Sequence, residues 1–394
     1  MRIGIFSESY EPITNGVAVS VRTLIDELRG RHHHVVALAP HYPDHHDSSA
    51  FVLRVPSVLT TMNAEYPVPY PWFPRLKRDI RRLNLDILHS QSPFFMGILA
   101  MRISRRYGIP HVSTYHTLYE QYSHYVFFMP ELVTQRLIDW WLPRFYNDCA
   151  CAIVPSRVAE ESLRRYGVTC RVEVIPTGTP IPAPESTDQH TIRKVRKRWH
   201  IPINAPLLLY VGRLAREKNI ELILDSFEDI ASEFPESRLL IVGGGPHTDA
   251  LKRRADAGGV SPRIQFAGPI PRQELDSVYA AADVLVFGST TETQGLVVAE
   301  ARAAGTPAVV VNEGGAPETV TDGEDGLIVR AEREDFAAAI RSLLKYDNVR
   351  LEMREACLRN ARRYTPSAMA DRVIEVYESV LQAPMKPVAA ATEV

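Results

Sequence analysis

The sequence predicts an α/β protein made of two facing, Rossmann-like, doubly wound domains with a cleft between them. Three observations carry this. At 394 residues the chain exceeds what one core usually organises. Short apolar runs alternate with helical patterns, the mark of βαβ units and parallel sheets. That alternation occurs twice, on either side of Ile175-Pro176-Thr177-Gly178-Thr179-Pro180-Ile181-Pro182-Ala183-Pro184. So many prolines can continue neither a helix nor a central strand, so the interdomain linker belongs there. The expected divisions are 1–182 for the first domain and 183–365 for the second. A C-terminal helix over about 366–382 is expected to pack back on the first domain, and 383–394 reads as a frayed tail.

In the first half the strand candidates are Arg2–Phe6, His34–Ala39, Ile87–His89, His111–Thr114 and Ala152–Val154. Most are short and rich in apolar residues, as suits a strand covered on both faces. Between them, apolar residues recur at helical spacing in Val19–Arg29, Phe73–Leu83, Gly97–Tyr107 and Ser156–Tyr166. The aromatic pair Trp140-Trp141 is expected in the core rather than as a membrane wedge. In the second half, Leu207–Gly212 opens the series as a buried strand, followed by Arg238–Val242, Ile264–Phe266, Val284–Phe287 and Pro307–Val311. Helices are expected at Ile220–Phe234, Pro246–Asp256, Arg272–Ala281 and Leu296–Ala304. Sheets of this kind bind ligands at the carboxyl ends of their strands, so the loops leaving those ends are where chemistry is sought.

Composition removes several classes. Forty-five Lys+Arg against forty-seven Asp+Glu leave a net charge of -2, so no nucleic-acid partner is expected. Four Cys form no CxxC pair, which excludes a disulfide scaffold and suits a reducing compartment. No signal peptide is expected before Arg2-Ile3-Gly4, and no apolar run approaches the roughly 20 residues that span a bilayer. The expected location is cytoplasmic, with peripheral attachment to the inner face of the cell membrane as a refinement.

The strongest local feature is Ser289-Thr290-Thr291-Glu292-Thr293-Gln294-Gly295-Leu296-Val297-Val298-Ala299-Glu300-Ala301, which follows a strand and opens a helix. Gly295 lets backbone approach a ligand closely, and free amides at the helix start suit an anion. A carboxylate can accept from vicinal hydroxyls, which a ribose or a pyranose offers. Two surface glutamates near a helix start are an equal reading on spacing alone, since acids are favoured there. A second feature, Gly212-Arg213-Leu214-Ala215-Arg216-Glu217-Lys218-Asn219, leaves another strand. Arg213 and Lys218 can clamp a diphosphate there, or form an ordinary basic loop. It is not a Walker loop. Val242-Gly243-Gly244-Gly245-Pro246 lacks GxGxxG and reads as a base-binding or tight turn.

Taken together, these stretches resemble the retaining family-4 glycosyltransferases of the GT-B fold. The likeness includes Tyr10-Glu11-Pro12-Ile13-Thr14-Asn15-Gly16-Val17, Val211-Gly212-Arg213 with Lys218, and Glu292-(seven residues)-Glu300-Ala301. Ala304-Gly305-Thr306-Pro307 and Gly314-Gly315-Ala316-Pro317-Glu318 extend it. The chain departs from the pattern at Thr293-Gln294, where the family often has a small residue and Phe. The resemblance implies a nucleotide-sugar donor, a UDP-hexose or GDP-mannose, with UDP-glucose foremost. It gives Arg213 and Lys218 the leaving diphosphate, with amides at Gly16 approaching the same group. Glu300 would take the ribose and Glu292 the transferred sugar. Main chain around Pro269 and Ile270 would hold the base, and amides from Thr293, Gln294, Gly295 and Leu296 would complete the donor site. His116 matches the family's first-domain histidine beside the sugar. Read alone, it is better taken as a satisfied core histidine.

Leaving-group stabilisation is the main electrostatic task in such a transfer. The chain has no Asp-x-Asp, so neither a metal nor a cofactor is expected, and the cations and helix-start amides are given the work. No motif positions a carboxylate nucleophile, which fits front-face, retaining displacement.

Within the family, the first domain most resembles that of bacterial diacylglycerol glucosyltransferases. The likeness lies in Tyr115-His116-Thr117-Leu118-Tyr119-Glu120-Gln121-Tyr122-Ser123-His124-Tyr125 and in Ser92-Pro93-Phe94. This implies a lipid acceptor. The segment Tyr66–Leu83 supports it independently, with Trp72 and Phe73 beside Arg75, Lys77, Arg78, Arg81 and Arg82 and an apolar stripe of Leu76, Ile80 and Leu83. Aromatics next to a basic amphipathic helix suit an anionic membrane surface. A sheet-packing helix with a solvated basic face is the plainer alternative. The rivals on function are the same chemistry on a soluble acceptor (a sugar phosphate, polyol or glycan) and an NDP-sugar epimerase.

Overall fold

The computed structural model describes residues 1–13, 15–43, 45–47, 49, 51–60, 63–70, 74–119 and 131–383. At residues 59–60, 63–66, 74–77 and 131 only the backbone is described. The chain forms two compact units. The first comprises Met1–Gly178 with the segment that starts at Pro366, and the second is Thr179–Thr365.

The first unit runs β1 (Arg2–Phe6), α1 (Gly16–Gly30), β2 (His34–Pro40), β3 (Val52–Val55), β4 (Ser57–Thr60), β5 (Asn63–Pro69), α2 (Pro74–Leu83), β6 (Ile87–Ser90), α3 (Phe95–Tyr107), β7 (His111–Thr114), α4 (Glu131–Tyr146), β8 (Cys151–Val154), α5 (Arg157–Arg165) and β9 (Val172–Val174). Its sheet has the order β3-β2-β1-β6-β7-β8-β9, with every neighbouring pair parallel. The strands are short and fully buried along β6, β7 and β8, as a sheet covered on both faces requires. Helix α1 begins three residues before the expected Val19, because Asn15 caps it by accepting from the Ala18 amide. An antiparallel hairpin, β4 with β5, occupies a proline-rich stretch with no strand signal of its own.

The second unit runs α6 (Gln189–Arg198), β10 (Leu207–Val211), α7 (Ile220–Glu233), β11 (Arg238–Val242), α8 (Thr248–Ala257), β12 (Ile264–Gly268), α9 (Arg272–Ala281), β13 (Val284–Phe287), α10 (Leu296–Ala303), β14 (Ala308–Val311), β15 (Gly326–Val329), α11 (Arg333–Lys345) and α12 (Asp347–Ala361). Its six parallel strands take the order β12-β11-β10-β13-β14-β15, the doubly wound 3-2-1-4-5-6 arrangement. One continuous apolar core fills it, centred on Leu207–Val211 and Val284–Phe287. Arg302 and Asp325 form an enclosed ion pair at 2.9 Å, and Asn360 donates to the same carboxylate.

The last described helix, α13 (Pro366–Gln382), belongs to the first unit. Met369, Val373, Val376, Tyr377 and Val380, spaced three and four apart, enter the core that α1 and β1 share. The Tyr377 hydroxyl lies 2.6 Å from His89 Nδ1, and Arg31 bonds to Ser367 and Asp371.

Trp140 departs from expectation. It is 54% exposed on α4, whereas Leu142, Phe145 and Tyr146 of the same helix are buried. The helix turns its other face to the sheet, leaving Trp140 stacked under the Arg144 guanidinium at 4.5 Å. Trp141 is half-buried, and its indole donates to the Pro93 carbonyl. Among the described residues no helix is long and apolar enough to cross a membrane. The expected tail, from residue 384 onward, lies outside the described residues.

Candidate active site

Strand order locates the crevices. In the second unit the order reverses between β10 and β13, and in the first between β1 and β6. Open parallel sheets bind ligands at the carboxyl side of such switch points. The loops that leave those four strand ends are therefore the ones that matter.

In the second unit, β10 ends at Val211 and releases Gly212 and the exposed Arg213. Lys218 follows in a single 3-10 turn and comes back toward β13. Its ammonium donates to Glu292 Oε1 at 2.7 Å, with the two side chains only 13% and 22% exposed. The Ser289 hydroxyl donates to the same oxygen at 2.9 Å. Two of the expected residues are thus brought into contact, though as partners of one another. The loop Thr290–Gln294 is braced from behind by the Gly315 amide, which donates to the Glu292 carbonyl at 2.6 Å.

Gly295 starts α10 in the left-handed region, at φ 80°. A Cβ there would lie 2.9 Å from the Ala316 methyl, so both conformation and space call for glycine. Leu296 is the first helical residue, and Glu300 follows about one turn later. The Glu300 carboxylate is 13% exposed, with Oε1 3.0 Å from Arg272 and Oε2 accepting from the Tyr279 hydroxyl at 2.7 Å. Burial pushes the Glu300 carboxyl above its usual range, and Arg272 and the Tyr279 bond oppose that rise.

Gly243, expected in a tight or base-binding turn, packs main chain on main chain. A Cβ on it would meet the Gly212 carbonyl oxygen at 1.9 Å. A Cβ added to Gly244 would touch the Pro269 ring, and half-buried Ile270 follows that proline toward α9.

In the first unit, Gly16 opens α1 directly after the Asn15 cap. His116 stands two residues beyond β7, and its Nε2 donates to Gln91 Oε1 at 2.8 Å, beyond the end of β6. Enclosure pushes the His116 pKa down to about 4, so the ring is neutral near pH 7. The Gln91 Nε2 is buried with no hydrogen-bond partner among the described residues. Glu8, two residues past β1, accepts from the Ser92 hydroxyl and from the Met96 amide at the start of α3. Its carboxyl is raised by burial.

Four residues here carry no motif signal: Glu8, Gln91, Arg272 and Tyr279. Glu8 and Gln91 could have been reached from strand ends alone, because each lies within two residues of the end of a strand at the switch point. Arg272 and Tyr279 could not, because their partner is distant in sequence.

On the expected membrane face, Trp72 and Phe73 lie outside the described residues, as do the side chains of Leu76, Arg75 and Lys77. Arg78, Arg81 and Arg82 are exposed. Ile80, only 4% exposed, packs with Val55, Leu88 and Met96, and Leu83 packs against the same cluster. The described part of the apolar stripe therefore faces the sheet, and the basic face is left to solvent.

Two family models match. Residues 14–182 match "Glycosyltransferase Family 4" and residues 191–364 match "Glycosyl transferases group 1". An alpha-monoglucosyldiacylglycerol synthase of Streptococcus pneumoniae is 31% identical over 87% of this chain and 78% of its own length. One from Acholeplasma laidlawii is 30% identical over 85% and 86%. A GDP-mannose-dependent alpha-mannosyltransferase of Corynebacterium glutamicum is 27% identical over 97% of this chain and 89% of its own. Among solved structures, sucrose-phosphate synthase from Thermosynechococcus elongatus superimposes with a TM-score of 0.78 at 22% identity, covering 97% of this chain and 99% of that one. Anabaena HepE in complex with UDP does so at 0.75 and 18%, covering 96% and 100%.

Proposed function

This chain belongs to the group 1, family 4 glycosyltransferases, and from that premise we propose that it moves a hexose from a nucleotide sugar to a diacylglycerol-type lipid. UDP-glucose is the proposed donor, and retention of anomeric configuration the proposed outcome. The observation that carries the donor chemistry is the Lys218–Glu292 contact beside the glycine-started helix α10. Both bonds to Glu292 engage Oε1, so Oε2 is proposed to accept from hydroxyls of the donor sugar. On donor binding the Lys218 ammonium would then face a diphosphate as well as a carboxylate, with Arg213 on the same strand end. Two cations and the amides of Thr293–Leu296 would stabilise the charge that builds on the departing diphosphate. Neutral His116 is proposed to hydrogen-bond the transferred sugar, with Gly16 amides near the diphosphate and the Pro269–Ile270 main chain at the base. Glu300 would take the ribose.

The lipid acceptor is supported by the names of the two synthases and by the exposed cations of α2. Peripheral attachment to an anionic membrane would follow. The experiment is turnover with a panel of UDP- and GDP-sugars against diacylglycerol in mixed vesicles and against soluble acceptors. A glucosylated lipid with the α configuration by NMR is expected; an inverted product overturns the retaining reading. A second reading, GDP-mannose as donor, is favoured by the mannosyltransferase that aligns with 97% of the chain. The same panel separates them. Interconversion of sugar nucleotides with no acceptor present would instead indicate an epimerase.

A further inference from the structure

The surroundings of Glu300 reach past its proposed role. Both of its oxygens are held from one direction by a single helix. Arg272 and Tyr279 lie two turns apart on one face of α9, and they bond Oε1 at 3.0 Å and Oε2 at 2.7 Å. A carboxylate offers about four lone-pair positions, so each oxygen keeps one for a ligand. Arg272 also carries a buried Nη1 with no hydrogen-bond partner among the described residues. A plain tie between α9 and α10 would need neither two donors on one acid nor an enclosed donor left over.

We propose that Arg272 and Tyr279 are positioning residues that decide nucleoside specificity, by holding Glu300 as an ionised, two-oxygen acceptor for a vicinal ribose diol. The site would then select ribonucleoside over 2′-deoxyribonucleoside diphosphates. This rests on the reading of Glu300 as the ribose acceptor. The physical need for the pair is plain. A protonated Glu300 would have lost part of its acceptor capacity, and burial favours that form. The charged and titratable groups acting on Glu300 are Arg272, Tyr279 and Asp276, all on α9. Of these only Asp276 works with burial toward protonation. Removing Arg272 removes the leading influence that opposes burial, so ionisation of Glu300 should shift further upward and diol binding should strengthen as pH rises.

The test is calorimetry on the full chain with UDP, 2′-deoxy-UDP, GDP and 2′-deoxy-GDP from pH 6 to 9. The unchanged protein should prefer the ribose form by roughly 10- to 100-fold, the scale of a charged hydrogen bond. Arg272→Gln should lower that preference, most at the acid end of the range, and recover it as pH rises. Arg272→Lys, which keeps the charge, should retain the preference with a flat profile. Tyr279→Phe, nearly isosteric, should reduce the preference at every pH, and it carries the test if Arg272→Gln does not fold. Equal weakening of ribose and deoxyribose forms at all pH values would overturn the proposal and leave the pair as a helix tie. If Glu300→Ala bound UDP and GDP as tightly as the unchanged protein, the ribose reading itself would fall, and this inference with it.

Discussion

A lysine and a glutamate 74 positions apart meet at one oxygen, and neither motif revealed it. Its place after a strand suggests a diphosphate role for Lys218, and the family resemblance implies the donor sugar for Glu292. Sequence could not show which cation faces which acid, because that depends on β10 and β13 being neighbours in the sheet. The pairing matters for kinetics. Arg213→Ala and Lys218→Ala should each lower kcat/KM by roughly 30- to 1,000-fold, about 2–4 kcal/mol of transition-state stabilisation. Arg213, exposed and separate from Glu292, should act mainly on turnover. Lys218→Ala also removes a partner from Glu292 and should raise KM for the donor. Steady-state kinetics with the preferred nucleotide sugar decides, and loss of all turnover on chelation with recovery on adding Mg would redirect the charge stabilisation to a metal.

At the scale of elements, the central strands were the most legible part, because a buried parallel strand has few compositions open to it, whereas the edge strands β3, β9 and β15 carried no such signal. Tyr66–Leu83 shows where legibility stopped. Prolines concealed a strand, β5, that pairs with β4 in a two-stranded hairpin, where missing amide donors cost little. The apolar stripe of α2 was visible, but periodicity does not say whether a stripe meets lipid or protein. Ile80 meets Val55 and Leu88. Trp140 went the other way, since aromatic character argued for burial and helix phase left it outside. Helix α10 gives the sharpest prediction here. Gly295→Ala should cost about 1–2 kcal/mol from left-handed backbone alone, with more from contact with Ala316. Chemical denaturation should show that loss, and nucleotide affinity should fall with it; an unchanged midpoint would mean that the turn relaxes.

For the whole molecule, charge and protonation set two expectations. Arg78, Arg81 and Arg82 together replaced by Gln should weaken sedimentation with anionic vesicles at low salt. Each cation contributes about 1 kcal/mol near a charged bilayer, and the difference should vanish at high salt. Equal sedimentation of both proteins would leave α2 as a sheet-packing helix with a solvated face. The first unit also encloses two core histidines. Burial pushes His89 down to about 3 and His111 down to about 4. Both pKa values are lower folded than unfolded, so the unfolded chain binds protons first. Stability should hold above pH 6.5 and fall toward pH 4 by about 1.4 kcal/mol per pH unit for each histidine. Urea unfolding at pH 7 and pH 5 tests this, and His111→Asn should flatten the slope.

The return of α13 to the first unit has a consequence in time. A ribosome delivers residues 1–178 early, yet their apolar face stays uncovered until Met369, Val373 and Tyr377 emerge. Everything between, residues 179–365, must be synthesised first, and at roughly 5–20 residues per second that takes on the order of 10–40 s. The second unit has all of its strands in one stretch of chain and can close during that interval. The part of the protein that is made first is completed last, and on a nascent chain it is the part most in need of a chaperone.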